Sequence, residues 1–323
     1  MIQQSSLLIS FGGNALHPEG KVRHNQKEEF EIAYNSMSGV ADLLEKGFNK
    51  IILTHGNGPQ VGQIFLQQEL TKNEFPRQIT LDVCVADSQG RIGYILQNVF
   101  DNICCKRGID KKSFTVITQV VVDPEDKDFD RPTKPIGLFY SRNEAEDLAK
   151  NRGWKFIEDA GRGCRRVVPS PAPLEIVEKK IFKEILNRGF IVFGCGGGGI
   201  PVIRKSNGVL SGVEAVIDKD RTSALLASEL EIDQLIILTG IDGAYLDFLS
   251  PNPRLIRNTT AEQMEAYIRQ GEFAEGSMKP KAEAVVEFIK KGGKKAIIAH
   301  LDSLVPAIEG KAGTHITAEN HFN

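Results

Sequence analysis

The sequence predicts an α/β protein with helices on both faces of a mainly parallel sheet. Two observations indicate this class. Short apolar runs alternate with longer segments of helical periodicity, and most of the apolar runs end at Gly or His rather than at a hairpin turn. The predicted strands are residues 7–11, 50–54, 115–122, 190–193, 234–239 and 295–299.

Helices are predicted where apolar residues recur with helical spacing between these strands. Several of them end at a glycine, which readily adopts the left-handed conformation that closes a helix. These closing glycines are Gly47, Gly108, Gly189, Gly271 and Gly292. The predicted helices are residues 26–46, 60–70, 87–107, 173–188, 221–230, 261–270, 279–291 and 303–309.

Composition excludes several classes of protein. The 323 residues contain 40 Lys plus Arg and 42 Asp plus Glu, a formal net charge of −2, without the basic excess of nucleic-acid-binding proteins. The five cysteines are odd in number and form no Cys-x-x-Cys pair, which favours a reducing cytoplasm over a disulfide framework or a zinc site. Neither a signal peptide nor a membrane span is expected, because residues 1–10 lack a charged segment and no apolar stretch approaches about 18 residues. A small-molecule partner is therefore expected, without nucleic acid or membrane.

Residues 123–172 interrupt the alternation of strands and helices. Charged residues, glycines and prolines fill this stretch, including Pro132, Pro135, Pro169 and Pro171. A structureless loop of about 50 residues is uncommon inside a compact domain. The stretch is therefore predicted to be an inserted subdomain or lid.

Three glycine-rich turns follow predicted strands, where ligands bind in open parallel sheets. Any one of them by itself is better explained as an ordinary turn. Together they indicate an anion site, because glycine exposes backbone N–H groups without a Cβ, and the helices after the first two turns add favourable N-terminal dipoles. The candidates are Gly12, Gly13 and Asn14 after the first strand, Gly56, Asn57 and Gly58 after the second, and Gly197 and Gly198 in the run 194–199 after the fourth.

The run 194–199 also satisfies the dinucleotide-binding pattern Gly-x-Gly-x-x-Gly, with an acidic residue, Asp218, about 19 residues beyond it. That pattern requires a helix to open within it. Here Pro201, residues 202–204 and the pair Asn207 and Gly208 predict a strand and a hairpin instead. An NAD site is therefore discounted. No Walker A sequence and no His-Glu-x-x-His motif are present either.

Lysines mark three further candidate positions. Lys219 stands between Asp218 and Asp220; such a triplet is usually a solvated surface cluster, but the apolar sequence on both sides predicts burial. Lys281 follows a glycine turn that opens a helix, where a cation is unfavourable unless an anion binds. Lys134 lies next to Pro135 in the insert, and a solvated side chain explains it equally well.

These motifs resemble the amino-acid-kinase superfamily, and within it the carbamate kinases, over nearly the whole chain. The resemblance rests on many blocks in the same order, from Gly-Gly-Asn-Ala-Leu near the N-terminus to Gly-Thr near the C-terminus. The blocks are residues 12–16, 56–62, 88–90 with 92–94, 132–137, 158–163, 167–171, 197–201, 217–220, 276–278 with 280–281, and 313–314.

The resemblance implies a three-layer α/β/α sandwich on a mainly parallel eight-stranded sheet with a protruding inserted subdomain, assembled as a homodimer. It implies one domain, residues 1–323, with a carbamate-binding lobe at 1–211 that carries the lid at about 123–172, and a nucleotide-binding lobe at 212–323. The implied reaction is reversible phosphoryl transfer from ATP to carbamate, giving ADP and carbamoyl phosphate and often run toward ATP.

The resemblance also implies roles for individual residues. Lys134, Lys219 and Lys281 stabilise the transferred phosphoryl group, and Asp220 orients the lysines. The substrate-binding set is Gly12, Gly13, Asn14, Gly56, Asn57 and Gly58. The nucleotide-binding set is Gly197, Gly198, Asp242, Tyr245 and Met278. No metal site is predicted, because no carboxylate cage is visible, and Mg²⁺ is expected to be held mainly by phosphates and water.

Four residues depart from the family pattern, namely Cys164, Arg221, Lys279 and His315. Three other interpretations stay open: a different small-acid kinase of the superfamily, an NAD-dependent oxidoreductase that rests on the glycine run alone, and a non-catalytic ligand-sensing dimer. The last would be indicated by the loss of a reactive lysine, and none of the three lysines is missing.

Overall fold

The computed structural model describes residues 5–12, 25–75, 79–158 and 163–319. The helices in these ranges are α1 Gln26–Glu45, α2 Gly58–Leu70, α3 Leu81–Arg107, α4 Arg142–Arg152, α5 Lys179–Asn187, α6 Lys219–Glu229, α7 Ala261–Gln270, α8 Met278–Lys290 and α9 Leu304–Ile308. The strands are β1 Leu7–Phe11, β2 Ile51–His55, β3 Ser113–Thr115, β4 Gln119–Val122, β5 Lys134–Tyr140, β6 Lys155–Glu158, β7 Cys164–Val168, β8 Pro173–Ile176, β9 Ile191–Phe193, β10 Ile200–Arg204, β11 Leu210–Gly212, β12 Gln234–Thr239, β13 Tyr245–Leu246, β14 Arg254–Leu255, β15 Asn258–Thr260, β16 Lys295–His300 and β17 Thr314–Thr317.

The central sheet has eight strands in the order β15-β17-β16-β12-β1-β2-β9-β3. Neighbouring strands run parallel except for β16 and β17, which pair antiparallel. The α/β class and the mainly parallel eight-stranded sheet are confirmed.

Within the described residues, no helix is long and apolar enough to cross a membrane.

Alternate side chains of the central strands pack into two separate cores. Leu8 of β1 and Ile52 of β2 belong to a core that includes residues of α5, α6, α7 and α8. Leu7 and Leu53 point to the opposite face and belong to a core that includes residues of α1, α3 and α9. Because strand side chains alternate between faces, a strand that is apolar on both faces must be covered on both. The sheet is thus the middle of three layers.

Two predicted elements are wrong in part. The apolar run 115–122 is two strands: β3 lies in the central sheet, and β4 lies in a four-stranded sheet with β8, β10 and β11. Between them Thr118 is held by other elements, because its N–H donates to Gln89 Oε1 and its Oγ accepts from the backbone of Cys195. Residues 173–188 are not one helix, because Pro173–Ile176 pairs antiparallel with β4 before α5 begins at Lys179.

The predicted hairpin after the glycine run is confirmed. Strand β10 pairs antiparallel with β11, and Gly208 between them has a positive φ of 82°. The run itself contains only a short 3-10 turn, Gly196–Gly198, whereas a dinucleotide fingerprint requires an α-helix to open there. Helix α3 begins at Leu81, six residues before its predicted start at residue 87. Strands β15 and β17 of the central sheet were not predicted.

Strands β5, β6 and β7 form a small sheet of their own in the order β5-β7-β6, and α4 lies between β5 and β6 in the chain. It packs on α2 at very close range: a Cβ built on Gly62 of α2 would lie 2.1 Å from the Cα of Gly137 in β5. Next to this contact the guanidinium group of Arg166 in β7 packs against two rings that also contact each other, 4.3 Å from the centroid of Phe65 and 4.1 Å from that of Trp154. Burial lowers the pKa of Arg166 to about 10. The insert is thus attached to the rest of the chain through α2.

We expect Gly62→Ala to loosen this attachment, because the added methyl meets backbone that cannot rotate away. Overpacking of this kind typically costs about 1–3 kcal/mol. Urea unfolding of the variant should show that loss, and hydrogen exchange should be faster in β5 and β7. The matched control is Gly90→Ala in α3, where a Cβ would meet nothing within 4 Å; it should leave stability unchanged or raise it by up to about 1 kcal/mol. Equal stability of the two variants would contradict the close packing.

Candidate active site

The triplet at 218–220 lies where α6 begins. Asp218 is the N-cap: its Oδ1 accepts hydrogen bonds from the backbone N–H of Asp220 at 2.9 Å and of Arg221 at 3.3 Å. The preceding residues, Val216 and Ile217, are fully buried. The burial predicted from the apolar flanks is therefore observed, and the capping bonds hold the Asp218 side chain at the N-terminus of the helix.

Three lysines from different elements meet at these two carboxylates. Lys219 pairs with Oδ1 of Asp220, and Lys281, from the first turn of α8, donates to Oδ2 of Asp220 at 3.0 Å. Lys134, the first residue of strand β5 in the insert, pairs with Oδ2 of Asp218. Three ammonium groups thus share two carboxylates, and the cluster attracts a further anion.

Burial and mutual attraction set the charge of this cluster. Burial alone would raise the pKa of Asp218, but its pairing with Lys134 and the nearby Lys281 lowers it below the ordinary value. Burial likewise opposes ionisation of Asp220, yet the charges of Lys219 and Lys281 lower its pKa. Burial lowers the pKa of Lys219, and the neighbouring Lys281 adds to this effect. Burial acts the same way on Lys281, but Asp220 and Asp218 outweigh it and raise its pKa. A bound anion would therefore stabilise the charged form of Lys219.

The cluster forms one wall of a cavity of about 300 Å³ at the carboxyl ends of the central strands. Gly56, Asn57 and Gly58 line it where α2 begins, and Asn57 does not cap that helix but donates to Ser88 Oγ at 2.8 Å. The N-terminus of α2 is thus open to an anionic ligand. The predicted site residues that line this cavity are Gly12, Gly56, Asn57, Gly58, Lys134, Gly197, Lys219, Asp220 and Lys281.

The two predicted glycines of the run 194–199 have different surroundings. Gly197 lines the cavity, and a Cβ there would lie 2.1 Å from Asn57 Nδ2. Gly198 lies behind it: a Cβ would lie 2.3 Å from the Ile217 carbonyl oxygen, and its own carbonyl accepts from Thr222 Oγ1 at 2.8 Å. Both also have a positive φ. Close packing of protein on protein therefore accounts for Gly198 without a ligand.

The remaining predicted site residues that the structure describes do not line this cavity. Tyr245 lies in β13 and packs against Phe248, with ring centroids 5.8 Å apart. Met278 packs against the core on the α6 and α8 face. Asp242 is on the loop before β13. Their nucleotide contacts stay predictions. Gly13 and Asn14 lie outside the described residues.

Sequence reasoning missed two side chains at the site. Ser10 accepts a hydrogen bond from Lys219 Nζ at 2.8 Å, and its only sequence signal was a hydroxyl in the otherwise apolar strand β1. Arg165 of β7 lines the cavity from the insert and donates to the Gly137 carbonyl at 3.3 Å. It stood among other charged residues of the insert, so nothing in the sequence distinguished it.

A second cavity, of about 800 Å³, adjoins the first between the insert and α8. Two residues that depart from the family pattern line it, and each is paired: Arg221 with Glu283 at 3.2 Å and Lys279 with Glu275 at 2.6 Å. Over the ranges that the structure describes, no group of three or more His, Cys, Asp or Glu is arranged to hold a metal ion.

Comparison with known proteins identifies the family. The sequence pattern of the Amino acid kinase family matches residues 6–300, and the chain belongs to that family. Within it, the similarity extends over nearly the full length of carbamate kinases. The carbamate kinase of Pyrococcus horikoshii is 45% identical over 313 residues, 96% of this chain and 98% of that relative. That of Clostridium perfringens is 45% identical over 317 residues, 96% of this chain and 99% of that relative.

Solved structures of carbamate kinases are also similar to this chain. The carbamate kinase from Giardia lamblia bound to AMP-PNP is 40% identical and superposes with a TM-score of 0.88 over 98% of this chain and 99% of that chain. The same enzyme bound to citric acid superposes with a TM-score of 0.91 at the same coverage.

One buried histidine next to the site makes stability depend on pH. Burial, together with the charge of Lys219, lowers the pKa of His55 to about 4, although its hydrogen bond to the Gly56 carbonyl acts in the opposite direction. The unfolded chain binds this proton near pH 6.5. We therefore expect the free energy of unfolding to fall by roughly 3 kcal/mol as the pH drops from about 6.5 to 4.

Urea unfolding of wild type and His55→Gln across this range tests the expectation. The variant should lose less stability than wild type, because it cannot bind the proton. His300→Gln is the control, since that ring is one-third exposed and caps a different turn. A pH dependence that is the same in His55→Gln and wild type would contradict the assignment.

Proposed function

We propose that this chain is a carbamate kinase, which transfers a phosphoryl group reversibly between ATP and carbamate to give ADP and carbamoyl phosphate. The observation that carries the proposal is the cluster of Lys134, Lys219 and Lys281 around two buried carboxylates at the wall of a small cavity. The 45% identity to carbamate kinases over nearly the whole chain supports the same conclusion.

The chemistry of carbamate fits a site without a general base. Among the described residues that line the cavity there is no histidine, and Asp218 and Asp220 are both held by lysines. Carbamate is already an anion and attacks the γ-phosphoryl group without losing a proton. Positioning of the two substrates and neutralisation of the charge on the transferred phosphoryl group can then account for catalysis.

Each side chain has a role in the proposal. The three lysines stabilise charge on the transferred phosphoryl group and on the bridging oxygen, and Asp220 orients two of them. The turn of Gly56, Asn57 and Gly58, with Gly12 beside it, binds carbamate and the transferred group next to the N-terminus of α2. Gly13 and Asn14 belong to the same proposed set.

The nucleotide is proposed to bind in a lobe formed by residues 212–323, with carbamate in a lobe formed by 1–211 and the insert as a lid. The Giardia relative bound to AMP-PNP, an analogue of ATP, supports a nucleoside triphosphate as substrate. Mg²⁺ enters with the nucleotide and is held mainly by phosphate oxygens and water. A cytoplasmic homodimer is part of the proposal, and sedimentation of the purified chain tests the dimer.

A coupled assay tests the proposed reaction. ATP should form when the chain is given ADP, Mg²⁺ and carbamoyl phosphate, and not when any of them is omitted. Phosphorylation of a different small carboxylic acid, with no reaction of carbamoyl phosphate, would instead indicate another small-acid kinase of the family. Binding of NAD in a nicotinamide titration would revive the oxidoreductase interpretation.

We expect Lys134→Ala to lower kcat/KM for carbamoyl phosphate by about a hundredfold, as removal of one donor to a developing negative charge does in comparable sites. Affinity for ADP, measured by calorimetry, and the melting temperature should change little, because this side chain is partly exposed at the edge of the insert. Lys134→Arg should not restore full activity, since a planar guanidinium replaces a compact ammonium poorly.

The matched control is Lys155→Ala. Lys155 lies in the same small sheet but donates to the Asp130 carbonyl at 3.0 Å, outside the cavity. This variant should keep wild-type activity. Full activity of Lys134→Ala would show that the lysine of the insert is a surface charge without a part in the reaction.

A further inference from the structure

A chain of buried hydroxyl groups lies behind Lys219, on the side away from the cavity. Ser10 of β1, Thr54 of β2 and Ser223 of α6 contribute it, and none of the three is more than 1% exposed. They join the two neighbouring central strands to the helix that carries the catalytic triplet. Hydroxyls with no access to water are costly unless they are hydrogen-bonded, so their arrangement is specific.

The distances show how the protons are distributed. Ser223 Oγ is 2.6 Å from the carbonyl oxygen of Lys219 and 2.7 Å from Thr54 Oγ1. Because Ser223 has a single proton, which the carbonyl accepts, Thr54 donates to Ser223. Ser10 Oγ is 2.8 Å from Lys219 Nζ and therefore accepts from the ammonium group; its own proton has two acceptors within reach, Ser223 Oγ at 3.2 Å and Asp220 Oδ1 at 3.3 Å. Ser10 therefore contacts two of the three charged members of the triplet, Lys219 and Asp220.

We propose that Ser10 is a positioning residue that directs Lys219 toward the transferred phosphoryl group, an inference that rests on the proposed kinase activity. An ammonium group has three N–H donors. Asp220 takes one and Ser10 takes a second, which leaves the third to point into the cavity that Lys219 lines.

A second fixed acceptor is required because the first does not determine a direction. Held by Asp220 alone, the ammonium group of Lys219 could rotate about that contact, and Asp220 is itself shared with Lys281. The hydroxyl of Ser10 lies in a strand at the centre of the sheet, with no freedom to follow. Transfer catalysed by positioning depends on such alignment within a fraction of an ångström.

The test compares Ser10→Ala with wild type in the carbamoyl-phosphate assay. We expect kcat to fall by about ten- to a hundredfold, the usual effect of a lost hydrogen bond to a charged group. KM for ADP should change less than threefold, and the melting temperature by only a few degrees, because alanine fits the space of serine. Ser223→Ala should lower kcat by a smaller factor, since it supports Lys219 through the backbone.

A second measurement does not depend on turnover. Acetylation of Lys219 by acetic anhydride, followed by mass spectrometry across pH, reports how readily the amine loses its proton among Asp218, Asp220, Lys281 and the nearby His55. In Ser10→Ala the lysine should become reactive at lower pH, because the ammonium form has lost an acceptor. The control is Ser113→Ala: this serine is equally buried and bonds a carboxylate, Asp101, at 2.8 Å, but lies at the edge strand β3.

Ser113→Ala should match wild type in both measurements. Unchanged kcat and unchanged Lys219 labelling in Ser10→Ala would overturn the proposal, and so would a fall in kcat with an unchanged labelling profile, which marks a purely structural role. If wild type makes no ATP, the proposed function fails, and the labelling comparison by itself still decides whether Ser10 controls Lys219.

Discussion

The arrangement of two carboxylates among three lysines is the constraint on which this site depends. Three ammonium groups cannot be buried close together unless negative charge separates them, and Asp218 and Asp220 supply that charge. The two acids reach this position because the first caps helix α6 and the second follows within its first turn. The capping bond of one residue thereby determines where the lysines meet.

The lysines come from three parts of the chain, so the cluster also links those parts. Lys134 belongs to the insert, Lys219 to α6 and Lys281 to α8. Packing contacts between these parts of the chain therefore affect the geometry of the cavity, even where they lie far from it. The backbone of the insert lies directly on α2 because Gly62 has no side chain, and Arg166 packs against Phe65 and Trp154 beside that contact.

The order of the central strands decides what surrounds the cluster. Strands β12, β1 and β2 are neighbours and parallel, so their carboxyl ends meet at one edge of the sheet. The turns after them bring Gly240, Gly12 and Gly56 to the same cavity. The side chains just inside those ends, Ser10 and Thr54, face α6 and are sealed from water. The order of these three strands therefore places the anion site at their carboxyl ends and the buried hydroxyl groups between the strands and α6.

The sequence by itself determined the fold class, most strands of the central sheet and most helices, and it predicted the glycine turns and lysines of the candidate site. These features follow from apolar periodicity and from residue types at helix and strand ends, which are local properties. It did not show that residues 115–122 divide between two sheets, because both halves are equally apolar and only their partners differ.

The tertiary structure alone decided which charges pair and which hydroxyls support them. Lys134 and Asp218 are 84 residues apart in the chain, and Ser10 and Lys219 are 209 apart. No local pattern records such a contact, since it exists only when distant strands and helices are packed together. For the same reason the sequence could select Lys219 from its neighbours, but Ser10 became recognisable only beside it.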